Sequence, residues 1–267
     1  MMYARMRRLK MLDIRVCIPS YRRPKVESLE YFPSGRVYVD SEETSEYVRH
    51  NPHADIISCQ KGIQGNLSRV RNHILDTEFN DGADAVLIID DDILRLKYFE
   101  AGKRRHMHMD AVPDFLQKYT LIAQELGVYL WGLQVSNDKQ NYRENNPFSL
   151  TCYIGGPFQC FLKGNTCRYD EELFLKEDYD MTLQQLNKYR KVLRLNKFYY
   201  EARQSEQTGG CATYRTLEEE KRQFELLQRK WGSNIVQREK HDRAHNKRKV
   251  RKREDYNPLI YIPIRGA

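Results

Sequence analysis

Short apolar runs that end in polar residues recur along the first third of the chain. They read IRVCIPSYRR, RVYVD, ADIIS and DAVLIIDDD, at residues 14–23, 36–40, 54–58 and 84–92. β-Branched residues are frequent in these runs, which is typical of buried strands. Between the third and fourth runs, residues 62–76 carry apolar side chains at helical spacing after a Gly-Asn start. The pattern predicts a strand, helix, strand unit.

The second half of the chain continues to alternate between helical and extended patterns. Helices are predicted at 110–127, 175–191 and 216–231, and strands at 129–136, 150–162, 191–202 and 259–264. Pro113 lies in the first turn of the first of these helices, and Thr216 with Glu219 forms a capping box at the start of the last. The strand at 150–162 is interrupted by Gly155-Gly156-Pro157, where the backbone must bend or approach another group closely.

Alternating strands and helices predict an α/β fold with a mainly parallel sheet flanked by helices. In such folds ligands bind at the carboxyl ends of the strands, where the polar residues of this chain collect. We expect one catalytic domain at 13–235, a basic N-terminal extension at 1–12, and a basic C-terminal arm at 236–267 that contains a final short strand.

Composition sets the class of protein. A chain of 267 residues and 31.9 kDa, 40% hydrophobic and 31% charged, can bury a large core. Its longest apolar stretches have only strand length, so no transmembrane segment is expected. The basic start, MMYARMRRLK, is followed by no apolar signal core. Six cysteines without a C-x-x-C pair favour free thiols. These features predict a cytoplasmic protein.

The positive charge is concentrated at the two ends. Of the net charge of +8, residues 1–10 carry +4, and residues 238–255 hold nine bases against four acids. Basic segments contact polyanions such as nucleic acid, although a solvated tail gives the same composition. Because residues 238–255 contain only Ala244 and Val250 as apolar residues, a membrane-surface helix is disfavoured.

Two acidic clusters are candidates for chemistry. Asp90, Asp91 and Asp92 follow a buried strand, where like charges repel unless a cation such as Mg²⁺ or Mn²⁺ neutralises them. An ordinary acidic turn is the alternative. Glu177 and Asp178 open a predicted helix, where the helix dipole alone would favour them. The presence of both clusters indicates a metal site together with a general base.

Arg69 and Arg71 lie just inside the predicted helix that follows Gly65. Helix N-termini and guanidinium groups bind phosphate oxygens. Combined with the acidic clusters, these arginines indicate a site for a metal-bound diphosphate.

These motifs, in this order, resemble the GT-A fold of nucleotide-sugar glycosyltransferases, a single-domain Rossmann-like fold. The matching segments are VCIPSYRRP, VYVDS, GNLSRVRN, VLIIDDDI, IGG, RYDEELFLKEDYDM and RKWG. More narrowly, KEDYDMTL, the short body and the basic ends resemble the phage and kinetoplastid enzymes that glycosylate hydroxymethylated pyrimidines in DNA, including the base J glucosyltransferase.

The resemblance implies a role for each residue on the donor side. Those that would line the nucleotide base and ribose are Pro19, Ser20, Tyr21 and Arg22, with Asp40 at the uracil edge. Arg69, assisted by Arg71, would meet the diphosphate. Asp90 would face the ribose or sugar, Asp91 would lie near the donor sugar, and Asp92 would bind the metal. The implied cofactors are Mn²⁺ or Mg²⁺ and a UDP-sugar, with UDP-glucose the leading candidate.

The resemblance also implies the acceptor side. Gly155 and Gly156 would leave room for the acceptor, and Asp178, with Glu177 beside it, would take the proton in an inverting transfer. The acceptor would be DNA, single-stranded or with its base flipped out. The protein would then be of bacteriophage type and act in the host cytoplasm.

Three points stay open in the sequence. Many members of the fold supply a metal-binding histidine after the second acidic cluster, but residues 200–210 contain none, so His241, His245 or water would take that place. A similar transferase with a polysaccharide, lipid or protein acceptor is the first alternative. A metal-dependent nuclease or a non-catalytic DNA-binding protein is the second.

Overall fold

The computed structural model describes residues 11–135, 142–203, 210–238 and 256–264, and these form an α/β fold around one large sheet. Its strands are β1 (Ile14–Pro19), β2 (Arg36–Asp40), β3 (Asp55–Cys59), β4 (Ala85–Ile89), β5 (Ile93–Glu100), β6 (Lys103–His106), β7 (Leu130–Gln134), β8 (Phe148–Ser149), β9 (Phe158–Leu162) and β10 (Leu193–Ala202). The helices are α1 (Thr44–His50), α2 (Leu67–Asn80), α3 (Val112–Glu125), α4 (Glu177–Tyr189) and α5 (Leu217–Trp231). The predicted α/β fold class is confirmed.

The sheet has the order β3-β2-β1-β4-β9-β7-β10-β5-β6, and β8 pairs with β10. The first four strands run parallel to one another, as the alternating pattern predicts. Beyond them β9 runs antiparallel to both β4 and β7, and β5 antiparallel to β10. The carboxyl ends of β1, β2 and β4 therefore meet at one edge of the sheet, and the polar residues after them lie together.

The structure adds elements that the hydrophobic pattern does not predict. In the hairpin at 93–106, β5 alternates charged with apolar residues, a strand pattern that the sequence analysis did not use, and β6 reads KRRH, which has no apolar residue to mark a strand. Short helix α1 was missed for lack of a long apolar face. The predicted strand at 150–162 forms only over 158–162, because the residues before Phe158 turn through Gly155-Gly156-Pro157.

Two apolar layers cover the two faces of the sheet. One packs α3 against the sheet through side chains such as Phe115 and Trp131, and the other packs α2 and α4 through Ile74 and Met181. All five residues of β4 are buried, which explains its uninterrupted apolar sequence. These two layers fix the position of the central strands relative to the polar residues at their carboxyl ends.

The end of the chain returns to the body. Strand β11 (Val236–Arg238) pairs with β12 (Pro258–Ile260), and the Tyr261 amide donates to the Ile235 carbonyl at 2.8 Å. The final strand predicted at 259–264 is thus present but shorter. The basic residues 239–255 and the N-terminal residues 1–10 lie outside the described residues.

Two sequence expectations bear on the rest of the body. No helix in the described ranges is long and apolar enough to cross a membrane. The five described cysteines whose side chains are placed are free thiols, as the sequence predicts.

Candidate active site

The three aspartates after β4 point in different directions. Asp91 is buried, and its carboxylate accepts hydrogen bonds from Ser20 Oγ at 2.6 Å and from Arg23 Nη1 at 2.9 Å. Both of its oxygens are therefore engaged by the loop after β1. This carboxylate ties the two strand ends together, and its predicted contact with the donor sugar stays a prediction.

Asp92 carries a carboxylate whose charge is poorly compensated. Burial, followed by the neighbouring charges of Asp90 and Asp91, raises its pKa to about 7. Arg23 opposes this rise only in part, and no basic side chain of the described ranges forms an ion pair with Asp92. A partly buried carboxylate in this state favours the approach of a cation.

Arg71 joins the two acidic clusters that lie 87 residues apart in the sequence. Its guanidinium donates to Asp90 Oδ1 at 3.0 Å, to Glu177 Oε1 at 3.1 Å and to the Gly156 carbonyl at 3.1 Å. Its side chain is only 1% exposed. The structure thus gives Arg71 a different place from the predicted diphosphate contact, because its terminal nitrogens are turned inward to protein acceptors.

Glu177 lies beneath Asp178 at the first turn of α4. Burial and the charge of Asp178 raise the pKa of Glu177 to about 8, and they outweigh the opposing effect of Arg71. Glu177 is buried, so direct contact with an acceptor is not available to it in this conformation. The structure places it next to Asp178, and its role in the proton transfer stays a prediction.

Asp178 is held by three donors. Its Oδ2 accepts from the Gly156 amide at 3.0 Å and from the Tyr153 hydroxyl, and its Oδ1 accepts from the Tyr179 amide at 2.8 Å. Burial, and then the charge of Asp178, raises the pKa of Tyr153, so this hydroxyl stays protonated as a donor. A carboxylate has about four lone-pair sites, which leaves one free for an incoming hydroxyl.

The two glycines serve this arrangement. A Cβ on Gly156 would lie 3.1 Å from Arg71 Nη1 and 3.2 Å from Asp178 Oδ2, and one on Gly155 would lie 2.5 Å from Val135 Cγ2. The space beside both glycines is therefore filled by the protein's own side chains. The predicted room for the acceptor is not found there, because close packing around Arg71 and Asp178 takes it.

The predicted nucleotide loop lies at the end of β1. Pro19 and Ser20 are buried, and Ser20 Oγ also contacts Tyr47 Oη at 2.9 Å. Tyr21 and Arg22 reach the surface, where the Arg22 guanidinium lies 4.8 Å from the centre of the Tyr21 ring. Arg22 has a φ of 55°, so the loop turns sharply at this residue. Tyr21 and Arg22 are the members of this loop that can reach a ligand.

Asp40 and Arg69 lie on the same side of the site. Asp40 is buried at the end of β2 and accepts from the Gly62 amide at 2.7 Å and the Glu42 amide at 3.0 Å. Arg69, 45% exposed, pairs with Glu171 at 3.1 Å and donates to the Gly62 carbonyl at 3.1 Å. Of the two predicted phosphate-binding arginines, Arg69 is therefore the one that a ligand can reach.

The donor set suits a divalent cation that also binds substrate. Within the described ranges, no group of three or more His, Cys, Asp or Glu side chains is placed to hold a metal. Mg²⁺ and Mn²⁺ commonly take one or two carboxylates and complete their shell with phosphate oxygens and water. Asp90 and Asp92 could supply two such carboxylates, and Asp90 Oδ1 also accepts from Arg71. Burial first, and then the charges of Asp90 and Asp91, raises the pKa of Asp92, so a cation there would balance part of that charge.

Three site residues escape sequence reasoning. Arg23 pairs with Asp91, Tyr153 donates to Asp178, and Tyr200 lies close enough to Asp90, Asp178 and Asp92 for their charges to raise its pKa beyond the effect of burial. Arg23 is adjacent to the predicted Arg22 and Tyr153 is two residues before Gly155, so proximity in sequence was their only signal. Tyr200, on β10, gives none.

Comparison with known proteins identifies a family for this chain. A family profile described as TET-Associated Glycosyltransferase matches residues 36–210, which include both acidic clusters. No curated protein matches the sequence.

Solved structures match the chain at low similarity. A197 from STIV is 12% identical with a TM-score of 0.40, over 74% of this chain and 89% of that one. A protein described as a nucleotide-diphospho-sugar transferase from Desulfovibrio desulfuricans G20 is 12% identical with a TM-score of 0.41, over 70% and 80%. A CMP:2-keto-3-deoxy-manno-octonic acid synthetase complexed with CTP is 11% identical with a TM-score of 0.39, over 81% and 99%. Similarity at this level carries no argument about substrate.

Proposed function

This chain belongs to the TET-associated glycosyltransferase family, and we propose that it moves a sugar from a UDP-sugar to the hydroxyl of a hydroxymethylated pyrimidine in DNA, with a divalent metal. The enzyme class is a glycosyltransferase, so the nuclease and the non-catalytic alternatives are set aside. The donor nucleotide, the metal and the acceptor are the proposed parts.

One observation carries the proposal. Buried Arg71 bridges Asp90 at the end of β4 and Glu177 at the start of α4, beside Asp178. It brings Asp90, one of the two carboxylates that would bind the metal, and the candidate base Asp178 into one site. A transferase needs both groups, since the diphosphate must leave while the acceptor hydroxyl loses its proton.

Asp178 is the proposed base. The acceptor oxygen forms a bond to the anomeric carbon, the bond from that carbon to the diphosphate oxygen breaks, and the hydroxyl proton passes to the Asp178 carboxylate. Gly156 and Tyr153 occupy both lone pairs of Oδ2, and the Tyr179 amide occupies one of Oδ1, so the free lone pair that would accept the proton lies on Oδ1. Attack opposite the leaving group inverts the anomeric centre, in agreement with the family resemblance.

On the donor side, Tyr21 and Arg22 would contact the nucleoside, with Pro19, Ser20 and Asp40 shaping the wall behind it. Exposed Arg69 would leave Glu171 for a diphosphate oxygen, a more strongly charged partner. A cation held by Asp90 and Asp92 would stabilise negative charge on the departing diphosphate.

DNA as acceptor is supported by two features of the sequence. The KEDYDMTL segment around Asp178 resembles the enzymes that modify hydroxymethylated pyrimidines, and residues 238–255 are strongly basic. A base inside a duplex is inaccessible, so the enzyme would act on single strands or on a flipped nucleotide. A polysaccharide, lipid or protein acceptor is the alternative, and the experiment must distinguish it from DNA.

The test measures UDP release from a panel of UDP-sugars with Mn²⁺, with DNA that contains 5-hydroxymethyl pyrimidines and with matched unmodified DNA. We expect release that requires the modified base, and a nucleoside mass increased by one sugar. Slow release that is indifferent to DNA would move the acceptor to another class.

Substituting Asp92→Asn tests the metal site. We expect UDP affinity to lose its Mn²⁺ dependence, because one of two charged ligands is removed. Asp76→Asn, at an exposed position on α2, is the matched control and should keep that dependence. Mn²⁺-dependent binding that survives in the Asp92 variant would reject this assignment.

A further inference from the structure

The hairpin of β5 and β6 carries a concentration of positive charge within the body of the protein. Residues 95–106 hold five Lys or Arg and one Glu, while residues 11–237 as a whole carry a net charge of −2. All four residues of β6, Lys103 to His106, are exposed. The hairpin is therefore a local concentration of positive charge in a body that is close to neutral.

Part of this charge has no partner within the described ranges. Arg95 and Lys97 share Glu201, at 3.1 and 2.8 Å, and Arg105 lies 3.7 Å from Glu100. Lys103 and Arg104 form no ion pair there. Exposed cations without acidic partners keep their full charge for an anionic ligand.

The strand geometry spreads these cations over both faces of the hairpin. In an antiparallel ladder, paired residues point to the same face. Arg104 pairs with Phe99 and His106 with Lys97, which places these side chains on one face, while Arg105 pairs with Tyr98 on the other. Beside this second face a groove of about 460 Å³ has Tyr98, Phe115 and Lys118 in its lining. The surface is thus a basic edge with aromatic side chains next to it.

The hairpin starts at the active site. Ile93, the first residue of β5, directly follows Asp92. With a rise of about 3.4 Å per residue, the Lys97–His106 pair lies roughly 17 Å from Asp92 along the strand, and the Glu100–Lys103 pair roughly 27 Å. Phosphates follow one another at ~3.4 Å along each strand of a duplex, so these distances correspond to about five to eight nucleotides.

We propose that the β5–β6 hairpin is a docking surface for the phosphodiester backbone of nucleic acid, which positions the strand whose base enters the active site. The inference rests on the proposed function for its choice of acceptor. The positive charge of the hairpin and its direct connection to Asp92 favour nucleic acid as the ligand. Charged residues on an edge strand, Lys above all, also prevent edge-to-edge aggregation. That role should survive a reversal of charge that keeps the edge charged, whereas contact with phosphates is favoured by positive charge.

The test therefore reverses the charge and keeps the edge strand charged. The variant combines Lys103→Glu, Arg104→Glu and Arg105→Glu in the full chain. The matched control combines Arg49→Glu, Lys163→Glu and Lys221→Glu, at exposed positions elsewhere on the body. An alanine version of the hairpin variant provides a second measurement if reversal impairs folding.

Binding of an unmodified 30-base-pair duplex is measured across a range of salt. We expect the hairpin variant to bind at least tenfold more weakly at 100 mM salt, and its log–log salt slope to shrink by about 2–3, since each phosphate contact contributes about 0.9. Donor affinity should be unchanged. Duplex binding within twofold of wild type, or an equal loss in the control, would overturn the proposal.

Two further measurements distinguish this proposal from a membrane-binding surface and from a failure of the proposed function. Loss of binding to vesicles of phosphatidylserine and phosphatidylcholine with unchanged duplex binding would mean a membrane-facing surface, and would overturn the proposal. The duplex carries no acceptor hydroxymethyl group, so its binding does not depend on sugar transfer. Failure of the wild type to modify hydroxymethylated DNA would refute the proposed function. Binding of the unmodified duplex tests only the proposal that the hairpin binds nucleic acid.

Discussion

The charged side chains of the site divide into those that hold it together and those that can react. Asp91 and Arg71 are buried and hydrogen-bonded to protein partners, so they fix the positions of their neighbours. Asp178 keeps a free lone pair, and Asp92 lacks a basic partner within the described ranges. Burial and hydrogen bonding thus distinguish structural residues from reactive ones, although they look alike in the sequence.

Replacing Asp178 with Asn should abolish most of the transfer and spare donor binding. The amide has a similar shape but cannot accept the proton, and loss of a general base typically costs 10²-fold or more. Sugar transfer and UDP affinity are measured on the same preparation. Near-normal transfer by Asp178→Asn would exclude Asp178 as the base.

Glu177 should make the protein less stable as the pH rises. Its folded pKa of about 8 exceeds the value of about 4.3 for an unfolded chain, so the folded state binds more protons between these limits. The contribution is fully present below pH 4.3 and is lost as the pH rises through 8.

Urea unfolding at pH 5.5 and pH 8.5 checks this effect. Relative to Glu177→Gln, which does not titrate, the wild type should lose more than about 1 kcal/mol of unfolding free energy between the two pH values. A difference that stays constant with pH would show that burial does not raise this pKa.

Helix ends place the reactive groups. The N-terminus of α4 presents Glu177 and Asp178, and α5 braces α4 where Trp231 Nε1 donates to Asp180 at 2.7 Å. Helix α5 is itself capped by Thr216, whose Oγ1 accepts from the Glu219 amide at 3.1 Å. Only the N-cap half of the predicted capping box is therefore present, because the Thr216 amide donates to the Tyr214 carbonyl and the Glu219 carboxylate accepts from Arg222 and Gln223 instead.

Removing this cap should destabilise the protein without affecting the chemistry. Thr216→Ala leaves an amide of the first turn unsatisfied, and we expect a loss of about 1 kcal/mol in unfolding free energy. Thr216→Ser retains the hydroxyl and should lose much less. Equal effects of the two substitutions would mean that the hydroxyl contributes nothing.

Across the whole protein, the basic stretches include the N-terminal extension, the β5–β6 hairpin and the segment at 238–255. All three would contribute to binding a long polyanion, because counterion release adds with each phosphate contacted.

Neutralising the C-terminal segment should weaken DNA binding independently of the hairpin. With Arg251→Gln, Lys252→Gln and Arg253→Gln, we expect the salt slope to shrink by about 2–3. The effect should add to that of the hairpin variant if the two regions contact different phosphates. An unaltered slope would assign this segment another role.

Hydrophobic periodicity was enough to predict the α/β class, the first four strands and most of the helices, because burial on a sheet or helix face requires a repeating apolar pattern. Motif order was enough to identify the transferase family, because local loops such as the Asp triplet have a specific sequence. Elements with few apolar residues, such as β6 and α1, have no such pattern and were missed.

Packing between segments that are distant in the sequence decides which side chains of the site are buried and which are accessible. Arg69 and Arg71 are two residues apart, yet one is exposed and the other lies between carboxylates from β4 and α4. The glycine pair looked like open space for an acceptor, but Val135, Arg71 and Asp178 fill it. Partners distant in the chain decide which side chain is buried and which can reach a ligand, and a local pattern carries no record of those partners.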